Sequence, residues 1–335
     1  MPRLRRFAPP RERAYGTLAG LALGDAMGMP TQTMSRAEIT KRYGDVKGPV
    51  ASVDDQPLAP RQPAGRITDD TEQAVLVARL LIESGGSIAP QALADALVIW
   101  QDSMIERGSK DLLGPSTTAA LTALRSGVPW TESGRGGTTN GAAMRIAPVG
   151  IVRRPGAELW ERVRETTWLT HGTNLGLAGA YAVAAAVSGG IEGADPYEAV
   201  IEGIAAAHFG AERGVWVAGA DIAARFDALA PLARRMTDDA FATFAYQVVG
   251  TSVQSQESLV TAFLLVDRYA DEPFKALTTA ASLGGDTDTI GAIAGAVLGA
   301  CWGPSAFPEA DIQLVESVNQ LDLRGLSSDL FDLRS

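Results

Sequence analysis

The segment SLGGDTDT, residues 282–289, runs directly into the small apolar segment IGAIAGAVLGA, residues 290–300. Apolar residues around the whole circumference predict a helix that is buried on most sides. The two glycines permit a sharp turn before it, and Asp or Thr caps a helix start. Capping needs one such side chain, whereas Asp286, Thr287, Asp288 and Thr289 offer four. Because desolvated carboxylates that face each other are costly without a cation between them, the turn predicts metal binding.

A second acidic helix start, TDDT at residues 68–71, lies more than half the chain away. One acidic first turn is explained by the helix dipole, but two with the same Asp/Thr composition suggest a shared role. If the fold brings them together, they form an oxygen-rich cage that suits Mg²⁺ or Mn²⁺ and has carboxylates enough for two ions. The predicted metal ligands are Thr68, Asp69, Asp70, Asp286, Asp288 and Thr289.

Length and composition favour a single all-α domain over residues 1–335, since 46% of the residues are hydrophobic and no linker divides the chain. Strand patterns are scarce. Residues 1–12 are predicted to be flexible, and residues 29–66, rich in Pro, Gly and Asp, are predicted to form a flap or lid. Further helices are predicted at 11–27, 90–103, 116–125, 157–170, 173–189, 195–208, 215–230, 238–249, 256–269 and 272–281.

Charge and residue usage exclude several classes of partner. A net charge of -10 argues against a nucleic-acid surface, although a small anionic ligand is still permitted. No uninterrupted apolar run is long enough for a membrane span, and no apolar region follows the N-terminal arginines, so we expect a cytoplasmic protein, with a monomer favoured. Cys301 is the one cysteine and is predicted to be a buried, inert thiol. One cysteine and two histidines are too few ligands for a zinc cluster.

A glycine-rich segment, SGVPWTESGRGGTTNG at residues 126–141, enters AAMRIAPVG. Glycines before a helix start let backbone N–H groups converge on an anion such as a diphosphate, but the segment has no nucleotide-binding fingerprint. A plain loop is therefore the alternative. His171 lies where one predicted helix ends and the next begins, and it is open to either a structural role or a ligand contact.

The segments ITDDTEQ, TNGAAMRIAPVG, LTHGTN and GGDTDTIGAIAGAVLGA, with the earlier GDAMGMP, resemble the ADP-ribosylglycohydrolase family. The matching segments extend from residue 16 to about residue 302 and occur in the family's order. The resemblance implies an orthogonal all-α bundle with a binuclear magnesium or manganese centre, in which the two acidic turns supply the ligands. It also implies a diphosphate cradle at Gly136, Gly137, Asn140 and Gly141, and a ligand contact at His171.

Two positions depart from the family pattern. Members commonly end their first motif with a glutamate on a mobile flap, and this chain has Gln32, which cannot titrate. We count Gln32 among the predicted substrate-binding residues. The segment around Asp111 fits the family's Asp-containing pattern only with an offset. The activity or the leaving group is therefore expected to differ from that of the well-known hydrolases.

The leading hypothesis is hydrolysis of the glycosidic bond between ADP-ribose and an acceptor, either a modified protein or a small molecule. The ions would act as a template for the ribose, and Asp69 or Asp288 would take the proton of the attacking water or stabilise an oxocarbenium-like transition state. One alternative is a ribosidase that acts on nucleosides. Another is a non-catalytic ADP-ribose-binding or crystallin-like protein. A dehalogenase-type phosphatase is rejected because no hydrophobic strand precedes DTDT.

Overall fold

The protein is described by a computed structural model over residues 8–109 and 113–335, and this part of the chain is all-α, as predicted. Strand pairing among these residues is limited to two isolated bridges, Thr139–Gln254 and Thr173–Val215. The helices are α1 Pro10–Gly28, α2 Arg36–Tyr43, α3 Asp69–Glu83, α4 Pro90–Glu106, α5 Pro115–Arg125, α6 Trp130–Ser133, α7 Gly141–Arg145, α8 Ala147–Val152, α9 Ala157–His171, α10 Asn174–Glu192, α11 Pro196–Ala211, α12 Ile222–Ala233, α13 Asp238–Phe244, α14 Ser255–Arg268, α15 Pro273–Leu283, α16 Thr287–Trp302, α17 Glu309–Asn319 and α18 Leu323–Asp332.

Most helices begin and end near their predicted bounds. The exceptions are α12 and α13. The predicted start of α12 at residue 215 is too early because the Asp221 carboxylate caps the helix by accepting the N–H of Ala224 at 2.8 Å. The helix α13, predicted to reach residue 249, ends at Phe244, and a π-helix, Ala245–Val249, follows it. Within the predicted flap, α2 forms because Ser35 and Glu38 cap each other's backbone N–H groups reciprocally. The helices α17 and α18 were not predicted. Residues 10–12, predicted to be flexible, lie in the first turn of α1.

The helices α1 and α16 pack along a seam of glycines. Every fourth residue of α1 from Gly16 to Gly28 is glycine, so these residues share one face of the helix. A Cβ atom on Gly24 would lie 2.0 Å from the carbonyl oxygen of Gly291, and one on Gly28 would lie 2.2 Å from the backbone nitrogen of Asp288. The absence of side chains therefore lets the two backbones touch, and the end of α1 meets the start of α16.

The helix α10 forms the centre of the fold and packs against α8, α9, α11 and α16. Its length of 19 residues and its mean hydropathy of 1.3 would suffice for a membrane span, although the sequence analysis recognised no such run. Within the described residues, however, 94% of this apolar window is buried by other helices. The apolar character of α10 is thus accounted for by its position in the core.

The turn before α16 is fixed by two consecutive glycines and by backbone hydrogen bonds. Gly284 and Gly285 have φ of +90° and +80°, a left-handed conformation that favours glycine. The N–H of Gly285 donates to Met34 at 3.0 Å, and the N–H of Asp286 donates to Thr251 at 2.7 Å. The sharp turn expected from the glycines is therefore present, and it presents Asp286 at the start of α16.

Candidate active site

The structure brings the two acidic turns together at one end of the bundle. Asp69 and Asp70 lie in the first turn of α3, after the N-cap residue Thr68. Asp286 occupies the N-cap position of α16 without a side-chain capping hydrogen bond, and Asp288 lies in the first turn. The four aspartates line one cleft of about 130 Å³. The predicted ligand Thr289 lines the same cleft, and the hydroxyl of Thr68 donates to Asp70 Oδ2 at 3.3 Å. All six predicted ligands therefore belong to one cluster.

These carboxylates are buried, and among the described residues no Arg or Lys side chain lines the cleft between them. Burial raises the pKa of Asp69, Asp70 and Asp288 well above the usual range, and repulsion among the neighbouring carboxylates raises it further. The pKa of Asp286 is raised to about 6 by burial, against which the Asn140 amide stabilises the ionised form. The cluster thus concentrates negative charge where water no longer screens it.

The donor set fits hard divalent cations. Asp70 Oδ1 and Asp288 Oδ1 are buried and accept no hydrogen bond. Such orphaned carboxylate oxygens are the groups that Mg²⁺ or Mn²⁺ binds, and the hydroxyls of Thr68 and Thr289 add oxygen ligands. In the described residues, no three Asp, Glu, His or Cys side chains are arranged so that they could hold a metal ion by themselves. The ligand types present therefore suit a divalent cation, and hydroxyls, water or substrate would have to complete its coordination.

Asp25, at the end of α1, is a site residue that the sequence analysis missed. Its carboxylate is fully buried and accepts hydrogen bonds from both the backbone and the hydroxyl of Thr68, and from both of those groups of Thr71. Burial raises the pKa of Asp25 to about 6 despite these four donors. Asp25 therefore ties the start of α3 to α1. The available signal was the acidic residue inside GDAMGMP, a segment noted only as part of the resemblance.

The glycine-rich loop reaches the cleft only at its end. Asn140 and Gly141 line the cleft, and the Asn140 amide donates to Asp286 and to Ser258. Gly136 is exposed, with nothing within 4 Å of the position of a Cβ atom, and it does not line the cleft. Gly137 is buried against α9 and accepts a hydrogen bond from Thr173 at 2.6 Å. Of the four residues predicted to bind the diphosphate, two, Asn140 and Gly141, therefore line the cleft.

His171 supports the cleft from behind instead of lining it. The imidazole is fully buried, with Nδ1 2.8 Å from the Thr170 hydroxyl and Nε2 3.1 Å from the Thr139 hydroxyl. Burial, assisted by the charge of Arg145, lowers its pKa well below the usual range, so the ring is neutral at pH 7. Thr139 lines the cleft, and His171 holds the Thr139 hydroxyl in position. Of the two roles considered for His171, its position in the fold matches the structural one.

Gln32 lines the cleft from the turn that follows α1. Its side chain is 4% exposed, and its amide donates to the carbonyl of Met29 at 3.3 Å. Gln56, from the predicted flap, donates to the carbonyl of Gln32 at 3.0 Å and is itself buried. The flap region is thus pinned beside the acidic cluster. Asp111, the second departure from the family pattern, lies outside the described residues.

An all-α domain that gathers carboxylates, hydroxyls and an amide in one cleft has side chains suited to acid–base and cation-assisted hydrolysis. A family model described as ADP-ribosylglycohydrolase matches residues 7–335. The chain belongs to this family, and it is therefore an enzyme that hydrolyses glycosidic bonds.

Relatives and a solved structure agree with this assignment. The chain is 33% identical to the uncharacterized protein YegU of Escherichia coli, over 96% of this chain and 97% of that protein. It is 25% identical to the ADP-ribosyl-[dinitrogen reductase] glycohydrolase of Rhodospirillum rubrum, over 93% of both chains, and 28% identical to human ADP-ribosylhydrolase ARH3, over 93% and 91%. A structure titled ADP-ribosylglycohydrolase-related protein complex shares the fold, with a TM-score of 0.70, 23% identity, and coverage of 97% and 99%.

Proposed function

We propose that the protein hydrolyses the glycosidic bond between ADP-ribose and an acceptor, with two divalent cations, Mg²⁺ or Mn²⁺, held between the first turns of α3 and α16. The observation that carries the proposal is the pair of buried, unpartnered carboxylate oxygens, one on Asp70 and one on Asp288. They belong to different turns that share one cleft. Bound cations would supply Lewis-acid activation of water and a template for sugar hydroxyls.

The chain's own residues account for the remaining requirements. Asp69 and Asp288 line the cleft, where a carboxylate oxygen that faces the attacking water would accept its proton. Either carboxylate would take the proton of the attacking water or stabilise positive charge on the sugar. Asn140 keeps Asp286 in place through a hydrogen bond. Gln32 offers an amide dipole where a glutamate would offer a proton, so a leaving group that departs without protonation at this position is favoured.

A metal-dependence assay with isosteric variants tests the proposal. We expect release of ADP-ribose from ADP-ribosylated protein to require Mn²⁺ or Mg²⁺, to stop with EDTA, and to fall by about a hundredfold or more in Asp288→Asn and Asp70→Asn. The matched control is Asp267→Asn, a buried aspartate paired with Arg234 and absent from the cleft. Wild-type activity in EDTA, or full activity in either cleft variant, would remove the metal-centred mechanism.

A ribosidase that acts on nucleosides or other small ribosides is the second candidate. Two observations favour it: the cleft has a volume of only about 130 Å³, and neither Gly136 nor Gly137 lines it. Hydrolysis of free ribosides and release from ADP-ribosylated protein, compared at equal enzyme concentration, separate the two functions. A preference of tenfold or more for free ribosides would favour the second candidate. The cytoplasmic location and the monomeric state stay predictions.

A further inference from the structure

Arg145 is a buried cation placed directly behind the acidic cluster. It ends the short helix α7, and its side chain is 1% exposed. One guanidinium nitrogen donates to Gln73 Oε1 and another to the hydroxyl of Thr170, each at 2.6 Å. Burial lowers the pKa of Arg145 to about 10, so the group stays charged at pH 7. These partners are both neutral, and a buried charge with neutral partners calls for a compensating charge nearby.

Gln73 connects Arg145 to the cluster. It lies four residues after Asp69 on α3, so the two side chains share one face of the helix, and it is fully buried. Its amide nitrogen donates to Asp69 Oδ2 at 3.3 Å, while its amide oxygen accepts from Arg145. Because a carboxylate only accepts and a guanidinium only donates, this orientation of the amide is the one that satisfies both partners.

We infer that Gln73 and Arg145 are positioning residues that fix the Asp69 carboxylate toward the cations. This inference rests on the proposed function, since it concerns the cations that the cluster would bind. A single amide joins the two charged groups, so the Asp69 carboxylate is held through Gln73 by a guanidinium that is itself buried.

Titration with Mn²⁺ by calorimetry, on the full chain without substrate, tests the inference. Gln73→Met keeps the side-chain volume and removes both hydrogen bonds. We expect its Mn²⁺ affinity to fall about 10- to 100-fold, because residues that orient a metal-binding side chain have effects of this size. Gln73→Asn, whose amide is too short to reach both partners, is also expected to bind Mn²⁺ more weakly than the wild type. It replaces Gln73→Met in the experiment if that variant does not fold.

The control separates a positioning role from a loss of stability. Arg13→Met removes another buried arginine, which donates to the backbone of Ala8 and Gly190 near the opposite end of α1. We expect its melting temperature to fall while its Mn²⁺ affinity stays within twofold of the wild type. Equal Mn²⁺ affinity in wild type and Gln73→Met overturns the positioning inference alone. A wild-type protein that binds no Mn²⁺ overturns both this inference and the proposed function.

Discussion

At the scale of single residues, the site depends on contacts between positions far apart in sequence. The acidic residues 68–71 and 286–289 were found from the sequence because each turn has more oxygen side chains than a helix cap needs. Asp25 was not found, because its donors, Thr68 and Thr71, follow it by 43 and 46 residues. Local sequence patterns therefore predicted the two acidic turns. They did not predict Asp25, the buried carboxylate that holds the start of α3.

Replacing Asp25 tests that buried carboxylate. Asp25→Asn leaves one acceptor oxygen for four donors, although it also removes a buried charge. The donors that lose their acceptor destabilise the fold more than removal of the Asp25 charge stabilises it. We therefore expect a loss of about 1–3 kcal/mol in the free energy of unfolding. Activity should also fall, since α3 presents Asp69 and Asp70. Urea unfolding at pH 7 measures the loss.

Thr71→Val is the companion variant for Asp25→Asn. It removes a single hydroxyl donor to Asp25 and keeps the backbone N–H donor. We expect a smaller loss of stability than for Asp25→Asn. If Asp25→Asn unfolds at the wild-type urea concentration, the carboxylate does not anchor α3.

At the scale of helices, regular apolar spacing was enough to predict the long elements, but not the short or weakly buried ones. In α2 only Ile39 is buried, so its apolar pattern is too weak to recognise, and the Ser35–Glu38 capping box was the remaining signal. The pairing of α1 with α16 was not predicted either. Each helix looks like an ordinary run of small residues, and only the three-dimensional fold shows that their glycines face each other.

Adding one methyl group to the glycine seam tests its role. Gly24→Ala places a Cβ atom 2.0 Å from the carbonyl oxygen of Gly291, a backbone atom that cannot move alone. Alanine favours helices by about 1 kcal/mol over glycine, whereas overpacking of this kind costs about 1–3 kcal/mol or more, so we expect a net loss. The measurement is the free energy of unfolding in urea.

The matched control for the seam is Gly189→Ala, in the last turn of another buried helix, α10. Its Cβ atom would meet the carboxylate of Glu202, which is the end of a flexible, exposed side chain and can turn away. We expect unchanged or slightly higher stability there. Similar destabilisation in both variants would mean that tight contact along the seam is not the cause.

The start of α13 provides a prediction about pH. Hydrogen bonds from Lys275 and Arg268 lower the pKa of Asp238 from 3.8 to about 2. Because the folded-state pKa is the lower one, this stabilisation is present above pH 4 and is lost as the pH falls toward 2. The carboxylate is 52% exposed, so solvent screening limits the contribution to at most about 1 kcal/mol.

Comparing the free energy of unfolding at pH 7 and pH 3 tests the role of Asp238. Asp238→Asn should reduce the difference between the two pH values, because the amide does not titrate. An Asp238→Asn protein with the full wild-type pH dependence would contradict the assignment.

At the scale of the whole molecule, cation binding and folding are expected to be coupled. The acidic turns repel each other, and their mutual repulsion disfavours the folded state. A cation that binds only the folded protein stabilises it by about 2.7 kcal/mol when its free concentration is a hundred times its Kd. We therefore expect Mn²⁺ to raise the melting temperature and EDTA to lower it.

A double variant provides the reference for the effect of Mn²⁺ on folding. Asp70→Asn combined with Asp288→Asn removes the two carboxylates that have unpartnered oxygens. This protein should melt at the same temperature with and without Mn²⁺, and above metal-free wild type because the repulsion is relieved. A Mn²⁺-dependent rise of wild-type size in the double variant would place the cation elsewhere.

The glycine seam also has a consequence for biosynthesis. The helix α1 is synthesised before its partner α16, and the helices α2 to α15 lie between them in the sequence. During translation, the glycine face of α1 and the acidic residues at the start of α3 therefore stay unpaired until α16 is made. Contacts between segments so far apart in sequence form slowly and are prone to misassembly. Because Asp286, Asp288 and Thr289 line the cleft, we expect hydrolytic activity only in chains whose synthesis has passed residue 289.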